Sequence, residues 1–185
     1  MKTILLAGAL SLAALTAHAQ AYDAVPKVQA EATGGSTASV SALMDVAAPP
    51  AVVWATLTDC ANATRFMPKL ISCKILETGS GWEIREHRLK GGLFKSEMRN
   101  VFRADLDPPR RLSFRRVAGD WKRSDGEWRL RPIAGGKATH VTYHTDVAIG
   151  GAVPVGMVRS AVAKGMPEAM LALRRECVAR ARKAA

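Results

Sequence analysis

Between residues 40 and 149 the hydrophobic pattern has a period of two. Val141, Tyr143 and Val147 alternate with His140, Thr142, His144 and Asp146, and Leu112 and Phe114 alternate with Arg111, Ser113 and Arg115. Trp128 and Leu130 alternate with Glu127, Arg129 and Arg131. Such alternation predicts half-buried strands, placed at 40–46, 70–76, 82–89, 93–104, 111–117, 126–133 and 138–149. Thr78-Gly79-Ser80-Gly81, Gly91-Gly92, Asp107-Pro108-Pro109 and Gly135-Gly136 supply the turns. Connections this short join antiparallel neighbours, because a parallel crossover needs about a dozen residues or more. Trp121 either opens a further strand or sits in the hairpin before Trp128.

Two stretches depart from this period. After the first strand, Pro49-Pro50 opens a helix in which Val53, Trp54 and Leu57 share a face, and 59–67 reads as a second short helix stopped by Pro68. At the other end, 154–183 is helical, with Met166, Met170, Leu173 and Cys177 forming one apolar stripe. Gly165 and Pro167 predict a kink, or a break and restart, near Lys164. The sheet has one wet face and one apolar face, and this terminal helix is the candidate to cover the latter. The expected fold class is therefore α+β.

The N-terminus carries a different signal. Lys2, a run of 12 apolar and small residues at 4–15, and Ala17-His18-Ala19 have the layout of a cleavable secretory signal. The run falls short of the roughly 20 residues that span a bilayer. Cleavage is expected after Ala19, which makes the mature chain periplasmic or secreted. Residues 20–36, rich in Ala, Gln and Glu and ending in Gly34-Gly35-Ser36, read as a flexible linker, and 37–185 as one ligand-binding domain. An oxidising compartment also favours a disulfide between Cys60 and Cys73, 13 positions apart, whereas Cys177 lies on the helix stripe as a buried thiol.

Charge adds little specificity. The mature chain has 26 basic against 16 acidic residues, a net of +10. The basic positions are spread over several elements, no nucleic-acid motif accompanies them, and export makes nucleic acid an unsuitable partner. Arg110, Arg111, Arg115 and Arg116 form the one basic face that suggests an anionic membrane surface, as an alternative to a merely solvated exterior. Neither cysteine spacing nor histidine placement fits a metal, and no cofactor motif is present.

The element order, with Ala48-Pro49-Pro50-Ala51-Val52-Val53-Trp54 running to Thr58-Asp59, then Phe66-Met67-Pro68, then Pro154 and a helix ending in Leu171-Ala172-Leu173-Arg174, resembles the helix-grip fold of the START-like (SRPBCC) superfamily. The likeness is to its polyketide cyclase/dehydrase and coenzyme Q-binding families. It implies a curved antiparallel sheet wrapped around the terminal helix, two short helices after the first strand, and a cavity for a lipid, quinone, sterol or polyketide. By alternation the sheet offers Ile84, Met98, Phe102, Phe114, Trp128 and Tyr143 to that cavity, and the helix offers Met157, Ala161 and Gly165. Ordinary core packing is the competing reading for each. Glu86 is the charged candidate, in phase with Trp82, Ile84 and Arg88, and Arg116 follows Phe114. Both sit either inside the cavity or at its rim. Met67, Met98, Met157, Met166 and Met170 suit an adaptable apolar lining or a gap-filled core. His87, His140 and His144 alternate onto the wet face, and no catalytic motif is present. The expectation is a monomeric binder or carrier of a hydrophobic small molecule. The alternative is a cyclase- or dehydratase-type enzyme using Glu86, Tyr143 or Arg116.

Overall fold

The computed structural model describes residues 22–34, 37–92, 95–149 and 154–184. The proposed signal segment lies outside the described residues, as does the start of the strand expected at 93. The side chain of Lys95 is likewise not described.

Among the described residues eight strands form a single antiparallel sheet: β1 (Lys27–Gly34), β2 (Thr37–Val46), β3 (Leu70–Gly79), β4 (Trp82–Gly92), β5 (Lys95–Asp107), β6 (Arg111–Gly119), β7 (Trp121–Ile133) and β8 (Ala138–Ile149). Their spatial order is β1-β2-β8-β7-β6-β5-β4-β3, so β1 and β3 are the edges. The expected linker therefore needs correction, because residues 27–34 pair with β2 from Lys27↔Leu43 to Gly34↔Thr37. The strand escapes a pattern search because Lys27, Gln29, Glu31 and Thr33 give it a polar, mostly exposed character. What holds it is the backbone ladder with β2, with Val28 packed against the core. Trp121 opens β7.

Helix α1 (Pro50–Leu57) starts with proline inside its first turn, where the missing N–H has no partner to lose. The second short helix expected over 59–67 is reduced to a single 3-10 turn at Ala63–Arg65, in a segment that the Cys60–Cys73 disulfide ties to β3. Helix α2 (Val155–Ala184) runs unbroken through Gly165 and Pro167, so of the kink or break expected there the break does not occur. Proline removes one hydrogen bond to the carbonyl four residues earlier. That residue, Ala163, is exposed, so solvent can serve its carbonyl.

Helix α2 lies over β1 and β2 and against α1. Its stripe of Met170, Leu173 and Cys177 is buried with Val46, Val53 and Val141, all nearly inaccessible to solvent. A second apolar cluster joins Val158 near the start of α2 to Ala38 and Val147. A third joins Phe102, Ala104 and Leu112 under Trp54 and Trp128. The helix and the concave face therefore meet fully along one side and stand apart on the other.

Candidate ligand cavity

Where the sheet curves away from α2 it leaves a cavity of about 230 Å³. Its helix side is Met166, Ala169 and Leu173. Leu57, Ala63, Phe66 and Met67, from α1 and the disulfide-tied segment, close one end. Phe102, Phe114, Trp128 and Tyr143 line it, together with Leu89, Leu112 and Val147.

The aromatic rings form a continuous wall across the strands. His87 meets Phe102 edge-on at 4.8 Å between ring centres, and Phe102 meets Phe114 at 5.9 Å. Phe114 stacks on Tyr143 at 6.1 Å, and Tyr143 packs against Trp128 at 4.3 Å. Gly126 is required for this arrangement. A Cβ there would stand 2.1 Å from the carbonyl oxygen of His144 and 2.8 Å from the Phe114 ring.

Six of the expected lining residues lie elsewhere, five of them for two reasons. On β4 the alternation is in the opposite phase to that expected. Arg85 pairs with Phe102 and His87 with Asn100 across the β4–β5 ladder, which turns the odd-numbered residues inward. Glu83, Arg85 and His87 are accordingly buried, while Ile84 and Glu86 take the outer face. Glu86 pairs there with Arg99, and Arg88 with Glu97. On α2, Met157 is 43% exposed, Ala161 is exposed and Gly165 is half-buried, and none of the three lines the cavity. The turns that carry them precede the cavity, which Met166, Ala169 and Leu173 reach instead. Met98, opposite Leu89, is half-buried beyond the lining. Arg116 lies outside it, bonding through its guanidinium to the carbonyls of Trp121 and Gly119 at the corner where β6 and β7 part.

The inward turn of β4 brings polar side chains that the pattern placed on the wet face. Arg85 is held by Glu83 and donates to the carbonyls of Leu57 (3.2 Å) and Thr58 (3.3 Å). A buried ion pair with this many further bonds tolerates desolvation. Asn100 donates to Ser124 Oγ at 3.1 Å, and both residues are buried. Burial, aided by the neighbouring Arg85 charge, pushes His87 down to about 4, so the imidazole is neutral. Burial pushes the Tyr143 phenol up to about 12. Neither group titrates near neutrality, where an acid–base catalyst works best. The one signal for these residues is Leu89, an apolar side chain in phase with His87 and Arg85 and out of phase with Ile84.

Each arginine of the basic face has a partner. Arg110 pairs with Asp107, Arg111 with Glu127 and Arg115 with Asp105, while Arg116 is engaged by backbone carbonyls. Among the described residues no cluster of metal-ligating side chains occurs, and no helix is long and apolar enough to cross a membrane.

A curved antiparallel sheet gripping a long C-terminal helix is the START-like, helix-grip fold, and solved structures agree. The chain is similar to a STAR-related lipid transfer protein from Xanthomonas axonopodis, with a TM-score of 0.71 at 18% identity over 83% of this chain and 93% of that one. It is also similar to human STARD10, with a TM-score of 0.70 at 11% identity over 96% and 82%. For the Zhui aromatase/cyclase from Streptomyces sp. R1128 the TM-score is 0.64 at 20% identity over 80% and 94%. No curated protein sequence matches this chain. The family model described as polyketide cyclase/dehydrase and lipid transport matches residues 46–174, and the chain belongs to that family.

Proposed function

We propose that the mature chain is an exported binder or carrier of a hydrophobic small molecule, a lipid, quinone or polyketide-like compound, held between the sheet and α2. One observation carries this reading: a cavity of about 230 Å³ walled by Phe102, Phe114, Trp128, Tyr143, Met166 and Leu173, in a domain otherwise packed tightly along α2. An apolar lining with a few placed polar groups is what small-molecule sites share. Family membership points the same way. Export rests on the residues at 2–19, and the Cys60–Cys73 disulfide suits an oxidising compartment.

The enzymatic alternative keeps Tyr143 and gains His87, but loses Glu86 and Arg116, which stand outside the cavity. The shifts of His87 and Tyr143, one down and one up, favour binding over proton transfer. Two measurements test the proposal. Protein purified gently from the exported fraction should begin at Gln20. Its native mass spectrum should show one apolar molecule per chain, released by solvent. A chain beginning at Met1 contradicts export. Protein that neither carries nor takes up an apolar molecule contradicts the carrier.

A further inference from the structure

Among the described residues, four buried side-chain polar atoms have no hydrogen-bond partner: His87 Nε2, Asn100 Oδ1, Trp121 Nε1 and Arg174 Nε. Three of the four belong to residues that line the cavity. A buried polar atom without a partner costs about 1–3 kcal/mol, so three around one space call for an explanation. They are also neighbours in the sheet. His87 on β4 faces Asn100 on β5 across the ladder, and Asn100 reaches Ser124 on β7, the strand that Trp121 opens.

We propose that His87, Asn100 and Trp121 form a polar subsite selecting ligands that carry an uncharged oxygen, a hydroxyl or a keto group, on an apolar ring system. The proposal deepens the carrier reading and rests on it. Complementarity decides the class. Trp121 Nε1 can only donate, and a neutral imidazole donates through one nitrogen and accepts through the other. Asn100 keeps one polar atom unpartnered in either orientation of its amide, since turning it only exchanges the end that meets Ser124. A hydroxyl matches such a set because it both donates and accepts.

A charged headgroup does not match. The one cation on the wall, Arg85, is already held by Glu83 and by the Leu57 and Thr58 carbonyls. No unpaired charge is left to compensate a carboxylate or phosphate, and an uncompensated buried charge costs several kcal/mol. Size agrees with this. The cavity lies below the roughly 300–1,000 Å³ of drug-sized pockets, which favours a compact guest over a two-chain lipid.

The test compares three probes of one shape, 2-naphthol, naphthalene and 2-naphthoate, by calorimetric titration of the full mature chain at neutral pH. The subsite predicts that 2-naphthol binds about tenfold more tightly than naphthalene, the worth of one or two hydrogen bonds. It should exceed 2-naphthoate by at least about as much. In His87→Phe and Asn100→Leu the ratio of naphthol to naphthalene affinity should fall to about one. Equal affinity for naphthol and naphthalene in the native sequence overturns the subsite, as does naphthoate binding as tightly as naphthol. The wild-type comparison decides even if a variant fails to fold. Failure of all three probes, naphthalene included, overturns the carrier reading itself.

Discussion

The two walls of the cavity are built on opposite principles. On the α2 side, Met170, Leu173 and Cys177 pack against Val46, Val53 and Val141, and nearby hydroxyls find partners: Thr139 donates to the Ala48 carbonyl at 2.7 Å and Thr56 to that of Val52 at 2.8 Å. Burial pushes the Cys177 thiol up to about 11, as expected of an inert core cysteine. On the β4–β5–β7 side, Arg85, His87, Asn100 and Ser124 are buried, and three polar atoms are left without partners. Among the described residues the one comparable atom outside the cavity is Arg174 Nε, on α2. The contrast teaches a division of labour. One wall supplies the packing that makes the domain fold, while the other gives up stability to keep polar groups available to a guest.

The division can be broken most severely at Glu83. Glu83→Gln strips Arg85 of its buried counter-ion and should cost about 3–5 kcal/mol in urea unfolding, the usual penalty for breaking a buried pair. An unchanged midpoint would mean that the Leu57 and Thr58 carbonyls suffice. Removal of the disulfide by Cys60→Ser with Cys73→Ser should cost about 3 kcal/mol. It should also weaken apolar probes, because Ala63, Phe66 and Met67 lie on the segment it closes. Lost stability with intact binding would separate that segment from the cavity.

Acid sharpens the comparison further. The folded state holds His87 at about 4 against its ordinary 6.5, so the unfolded chain takes up this proton first as pH falls. Its contribution is complete above 6.5 and is lost between 6.5 and about 4, amounting to at most about 3 kcal/mol. His87→Phe should lose less stability over that interval than the native sequence. Parallel profiles would show that His87 is not held neutral. The smallest expected effect is the most informative about the polar wall. At neutral pH His87→Phe should gain about 1 kcal/mol in urea unfolding, since an unpartnered polar group gives way to an apolar ring beside Phe102.

The same contrast explains what could be read from the sequence. The packing wall was legible, because the 166–170–173–177 stripe and the alternation of β6, β7 and β8 carry large periodic signals. The polar wall was not. On β4 both phases hold charged residues, and the apolar Trp82 and Ile84 favour the wrong one. Trp82 instead supports Arg103 on the outer face, 4.3 Å from the guanidinium. Only pairing with β5, a long-range property, fixes Arg85 and His87 inward. On α2 the spacing of Met157, Ala161 and Gly165 describes a shared face, but not where along the sheet the helix crosses the hollow. β1 is held by a ladder that its own side chains do not announce.

The most direct measurement fills the hollow. Ala169 lines the cavity from α2, and Ala169→Phe would place a ring inside it. Calorimetric titration of naphthalene should give one site per chain in the native sequence, with a negative heat-capacity change. In a folded Ala169→Phe variant the binding should be lost. Undiminished binding in that variant would put the guest elsewhere and contradict the account.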